Sequence, residues 1–138
     1  MNDESKILDM VASQVSVWIN VCVDEADRYT LDMNEDYAHF FCWHSEDMYK
    51  VQQQLKEYRI LSREINTGDL GQVKEFLRHT VEHYTDDLLY SDVRKHSTGE
   101  AFNTAHLLDW EVKQDTVRRY SHLLARIKGK EEEKWKGR

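Results

Sequence analysis

Proline is absent from this chain of 138 residues, and that omission bears on every other reading of it. Nothing forces a kink or a stop inside a segment, so long helices can run wherever the apolar pattern supports them. The hardest test is "VSVWINVCV", residues 15 to 23, which reads at first as a buried β-strand. Val15, Val17, Ile19, Val21 and Val23 alternate there with Ser16, Trp18, Asn20 and Cys22. At about 100° per residue, however, Asp9, Ser13, Ser16, Asn20, Asp24 and Asp27 fall in one polar stripe. Leu8, Val11, Ala12, Val15, Trp18, Ile19, Cys22, Ala26 and Tyr29 occupy the opposite arc. The stripe outlasts the alternation on both sides, and no second strand is available as a partner. The segment is therefore expected to be a helix with a broad apolar face.

The same period continues along the chain. A second helix is predicted from about Asn34 to Ile65, with a seam of Tyr37, Phe41, His44, Met48, Val51, Leu55, Tyr58, Ser62 and Ile65 spaced as in helix bundles. "NTGDLG" supplies a stop, a turn and an N-cap at Asp69. A third helix, about 69 to 94, turns Leu70, Val73, Leu77, Val81, Tyr84 and Leu88 inward. "RKHSTGE" is the next break, with Ser97 or Thr98 as cap. A fourth helix, about 99 to 128, presents Ala101, Phe102, Ala105, Leu108, Val112, Tyr120, Leu123 and Ile127. Four helices joined by short turns predict an all-α, single-domain, up-down-up-down four-helix bundle over 1–128, with helices 2 and 4 long. Residues 129–138, "GKEEEKWKGR", have little to pack against and are expected to form a charged, frayed or disordered tail.

Bulk properties exclude several classes. The opening "MNDESKILDM" lacks a signal peptide's basic and apolar regions, and no stretch reads as the ~20 apolar residues of a membrane span. A cytoplasmic protein without membrane contact is expected. Cys22 and Cys42 have no zinc-ligand spacing and form no disulfide framework. The formal net charge of -7 opposes direct nucleic-acid binding.

That charge is concentrated. Residues 24 to 47 hold Asp24, Glu25, Asp27, Asp32, Glu35, Asp36, Glu46 and Asp47 against Arg28 alone, whereas residues 113 to 138 are net basic. In an up-down-up-down bundle Asp86, Asp87, Asp92 and Glu100 join the acidic pole. So do His39, His44, His83, His96 and His106, with Phe40, Trp43 and Tyr90 among them. Helix N-termini favour acids for their own reasons. Acids beside exposed aromatics also suit docking of a basic protein, with rings as anchors and charge as steering. Asp24, Asp27, Asp32, Glu35, Asp36, Trp43 and Glu46 are the residues expected to carry such a contact. The leading expectation is a non-enzymatic binding protein without cofactor, of the kind that neutralises a nuclease or another nucleic-acid-handling enzyme: an inhibitor, immunity protein or antagonist.

Candidate chemistry is sparser. His44 occupies a seam position where an apolar side chain is expected, and Asp109 lies in the apolar arc of helix 4. With His83 and Asp87 they form the alternative expectation, a divalent transition metal held in the bundle by imidazole and carboxylate. Cys22, Glu25 and Tyr84 fall near that layer. The paired Glu-x-x-His motifs of di-iron bundles are missing, and Asp36-x-x-His39 is a lone imitation. His79 and His83 share a helical face at a spacing used for zinc. Ser45 between His44 and Glu46 makes no triad, and no Gly-rich phosphate loop or clustered Glu-x-x-Glu of helical pyrophosphatases is present. "RHTVEH", Arg78 to His83, resembles the Arg-x4-His motif of HEPN-type ribonucleases. Over those six residues the resemblance implies an all-helical dimer acting on RNA phosphodiester bonds with Arg78 and His83. Lastly, the wide apolar arc of helix 1 suits a homodimer contact.

Overall fold

The polar stripe of the first segment is the outer face of one long helix, α1 (Asp3–Glu35), which buries Ile7, Val11, Val15, Cys22 and Ala26. The ambiguous "VSVWINVCV" lies in its middle and is helical throughout. The computed structural model describes residues 3 to 90 and 100 to 136, and no strand occurs among the described residues. After α1 come α2 (Tyr37–Trp43), α3 (Ser45–Ile65), α4 (Leu70–Tyr90) and α5 (Glu100–Lys136). The protein is all-helical, with five helices.

Several expectations need correction. The helix predicted from Asn34 to Ile65 is two helices, because α1 runs on to Glu35 and the chain bends at Asp36 and again at His44. The backbone bonds Asp36 N to Asp32 O (2.8 Å) and His44 N to Phe40 O (2.7 Å) still tie each bend to the helix before it. The bends shift the helical phase, so Tyr37 and Phe41 leave the expected seam for solvent and Phe40 takes the buried place. From Val51 onward the seam holds: Val51, Leu55, Tyr58 and Ile65 are buried. The second correction concerns α1, which contains an 18-residue window of mean hydropathy 1.3 and is long and apolar enough to cross a membrane. Ser13 and Ser16, which help make the stripe look polar, weigh little on a hydropathy scale beside the many Val, Ile and Ala residues of the window. In this fold α1 packs its apolar face on α3 and α5, while Val17 and Val21 stay about half exposed.

The "NTGDLG" turn behaves as its chemistry dictates. Gly68 takes φ +77°, a left-handed conformation open to glycine, and its N–H bonds to Ile65 O at 3.0 Å. Asp69 Oδ1 accepts from Gln72 N at 3.1 Å, capping α4. The second break, with Asp92, His96, Ser97 and Thr98, and the side chains of Tyr90, Glu100, Ala101 and Phe102 lie outside the described residues. At the far end α5 continues as helix to Lys136 instead of stopping near 128. Lys74 Nζ holds Glu131 at 3.1 Å, which gives part of this charged stretch a partner on α4.

Side-chain pairs fix the helix senses. Tyr49 to Asp109, Gln54 to Asp115 and Tyr120 to Glu57 ascend together, so α3 and α5 run parallel. Lys74 to Glu131 and Lys113 to Asp87 make α4 antiparallel to α5. Trp18 on Tyr58 and Tyr29 on His44 make α1 antiparallel to α3. At mid-height Trp18, Tyr58 and Tyr120 form an aromatic layer, with ring centroids 5.3 and 6.4 Å from Trp18 and the Arg119 guanidinium 5.6 Å over Trp18. On the basic side of that layer Val11, Val15, Leu61, Val73, Leu77, Leu123 and Ile127 are sealed from water. Each such side chain stabilises the fold by about 1.5–3 kcal/mol of transfer free energy.

Candidate functional site

The corner between α1 and α3 is made by α2, seven residues held by local chemistry. Asp36 is its N-cap: Asp36 Oδ1 accepts from His39 N at 3.1 Å. Buried Phe40 supplies the apolar foot. With those two points fixed, His39 faces back toward the last turn of α1, where its Nδ1 lies 3.1 and 3.0 Å from the two Asp32 oxygens. The Asp32 hydrogen bond raises the His39 pKa above its ordinary value, outweighing the opposing effect of burial.

His44 stands at the second bend, with φ −131° and ψ −2°. Its Nε2 is 4.0 Å from Asp32 Oδ2, and its Nδ1 is 3.9 Å from Asp47 Oδ2. The ring stacks on Tyr29 with centroids 5.1 Å apart and meets His39 edge-on at 5.6 Å. Nδ1 is closed off from solvent and has no hydrogen-bond partner among the described residues. The Tyr29 hydroxyl is pushed up by burial first, then by the charges of Asp47 and Glu25. Asp32, His39 and His44 bring one donor atom each to within 4.8 Å of the others, the one such group of three His, Cys, Asp or Glu side chains found among the described residues.

Around this cluster the surface is apolar and acidic together. Leu31 is 59% exposed, Tyr37 62%, Phe41 61% and Trp43 71%. Tyr37 and Phe41 stack on one another at 6.4 Å. Asp24, Asp27, Glu35, Asp36 and Glu46 are exposed and Asp32 is half-buried. Because α1 extends to Glu35, Asp32 and Glu35 sit in its C-terminal turn, where no basic residue accompanies them. The helix dipole disfavours negative charge there, by about 0.3–1 kcal/mol each. Preference for acids at helix starts therefore accounts for Glu46 and Asp47, in the first turn of α3, and not for these two.

No protein-family model, curated protein or solved structure matches the chain. Function has to be read from the chemistry of the molecule itself.

The other residues singled out from sequence are placed as follows. His44 lies in the corner, where it groups with Asp32 and His39 and not with the remaining three of its expected ligand set. Asp109 accepts from the Tyr49 hydroxyl at 3.0 Å. Asp87 pairs with Lys113 Nζ at 3.0 Å, which holds its carboxyl below the ordinary range, and stands 3.8 Å from His83. Asp87 and Asp109 do line one cleft of about 390 Å³ with His106, Trp110 and Lys113. Those four expected ligands share no common donor set. Arg78 and His83 are exposed on α4, where the His79 and His83 rings lie parallel at 6.2 Å. Cys22 is buried and Cys42 exposed. Sequence reasoning missed His39 as the companion of His44, and it missed Leu31, Tyr37 and Phe41 as exposed apolar side chains beside it. The cap pattern Asp36-x-x-His39 was the available signal for a new helix start.

Proposed function

We propose that the protein is a binding module whose corner, formed by the end of α1, by α2 and by the start of α3, docks a basic surface of another protein. One observation carries this reading. Four of the eight large hydrophobic side chains exposed among the described residues, Leu31, Tyr37, Phe41 and Trp43, fall within 31–43, and exposed acids are interleaved with them. Aromatic rings bury about 150–250 Å² each and dominate interface energetics. Rim carboxylates steer a basic partner and repel acidic ones. Acids kept at the C-terminal end of α1 against the helix dipole are a second support.

In this reading α1, α3, α4 and α5 are the frame, an up-down-up-down four-helix bundle, and α2 is the working surface. The partner class that best complements it is a nucleic-acid-handling enzyme, whose basic groove already binds a chain of negative charges. Occupying that groove makes the protein an inhibitor or immunity factor rather than an enzyme.

The test compares wild-type protein, Trp43→Ala and the double variant E35K/E46K as baits in a lysate of the native cells, followed by kinetics with the captured partner. The expected partner is basic. Trp43→Ala is expected to weaken it about thirtyfold through faster dissociation, the scale of a ~2 kcal/mol hot spot. E35K/E46K is expected to slow association on the order of tenfold and flatten its salt dependence. A partner retained unchanged by both variants removes the corner from consideration.

A further inference from the structure

The Asp32–His39–His44 cluster has a chemistry that docking alone does not use. We propose that these three side chains form a Zn2+ site that ties α2 to the end of α1 and the start of α3. Two imidazoles and one carboxylate, without thiolate, are a ligand set suited to a divalent transition ion, and zinc takes such donors tetrahedrally at about 2.0–2.2 Å. That geometry places donor atoms about 3.3 Å apart. The separations here are 3.0 Å for His39 Nδ1 to Asp32 Oδ2 and 4.0 Å for His44 Nε2 to the same oxygen, so they bracket the requirement. All three side chains keep some exposure and can rotate by the small amount needed.

The unpartnered Nδ1 of His44 supports the same assignment. Coordination through Nε2 fixes the proton on Nδ1, which already faces Asp47 Oδ2 at 3.9 Å in a solvent-closed position. A carboxylate behind a zinc-bound imidazole orients the ring and strengthens it as a ligand. The stacked Tyr29 ring closes the other side. A cation here also answers the dipole at the C-terminus of α1, where Asp32 and Glu35 have no basic companion in the last turn. Three protein ligands leave a fourth position for water or for a donor from a docked protein.

Zinc binding is read without any partner, so this inference stands or falls separately from the docking surface. The experiment takes the full chain, freed of metal with a chelator, and titrates it with zinc chloride by calorimetry and against a chromophoric zinc indicator. One equivalent is expected to bind. His39→Gln, at an exposed position, and Asp32→Asn are each expected to weaken it at least a hundredfold with helical circular dichroism unchanged. Asp47→Asn is expected to weaken it about tenfold, the lower end of outer-shell effects. Cobalt(II) is expected to give the visible absorption of a four-coordinate N/O site, lost in His39→Gln. H79A/H83A and E35K/E46K are expected to keep the stoichiometric site. The proposal is overturned by no stoichiometric zinc, by zinc unaffected in both His39→Gln and Asp32→Asn, or by zinc lost only in H79A/H83A.

Discussion

Raising the pH above about 10 is expected to unfold the protein cooperatively, and the tyrosines of the core set where this happens. Tyr58 and Tyr120 are fully sealed from solvent, and Tyr84 donates to Glu57 Oε1 at 2.6 Å. Burial is the largest cause of the upward shift at all three hydroxyls. The Glu57 hydrogen bond adds to it at Tyr84, and the Arg119 charge partly offsets it at Tyr58. The Tyr58 hydroxyl is pushed up from 10.0 to about 12. Between those values the unfolded chain has released this proton and the folded chain still holds it. The unfolded state then binds fewer protons, so stability falls with rising pH. Two pH units at about 1.36 kcal/mol each give roughly 2.7 kcal/mol lost through Tyr58 alone. Tyr84 and Tyr120 act in the same direction, against a total stability of about 5–15 kcal/mol. Tyrosinate absorbance and helical circular dichroism, followed together through an alkaline titration, check this. A late rise in tyrosinate is expected to coincide with loss of helix, and Tyr58→Phe is expected to move that transition to higher pH. If all the tyrosines ionise in one smooth step near pH 10 with the helix intact, the buried layer described here is refuted.

Three further outcomes follow from burial and exposure. Leu61→Ala, in the sealed core, is expected to lower stability in urea by about 3 kcal/mol, whereas Trp43→Ala, an exposed position, is expected to change it by less than about 0.5 kcal/mol. With a maleimide, exposed Cys42 is expected to react at once, and Cys22, buried and with its thiol pushed up by burial, only as the chain unfolds; two equally fast thiols contradict the packing of α1. Val17 and Val21, one turn apart on the outer side of α1, are where a second copy of the chain is expected to sit. Concentration-dependent sedimentation abolished by V17E/V21E is the signature, and a monomer at every concentration argues against it.

Much of the frame was legible in the sequence because burial imposes a period. The polar stripe from Asp9 to Asp27 identified α1 against its own β-like alternation, and Gly68 with Asp69 marked the turn into α4. The corner was not legible for a related reason. "EDYAHFFCWHSEDM" contains neither proline nor glycine, so nothing local announces a break, and apolar residues happen to keep bundle spacing across it. Two capping patterns competed with that spacing, Asp36 before His39 and the Ser45-Glu46-Asp47 start of α3, and tertiary packing of Phe40 decided between them. His44 stood out as polar in an apolar seam. That oddness reflected its place at a helix boundary, where its neighbours are Tyr29, Asp32 and Asp47. Asp109, expected to face it, is engaged by Tyr49. Periodicity carries information about what is buried along one helix; which helices bring their side chains together depends on bends that cap chemistry sets.

Two turns of helix cannot hold themselves in water, so α2 keeps its shape only through Asp36, Phe40 and the histidine corner beneath it. The outward positions Tyr37, Phe41 and Trp43 contribute nothing to that attachment beyond their own helix. Under the proposed docking, recognition and folding are thereby written in different residues of the same seven-residue segment. A lineage can rewrite the three outward rings to follow a changing partner while the frame stays untouched, and an engineer can treat them as a small replaceable face on a fixed support.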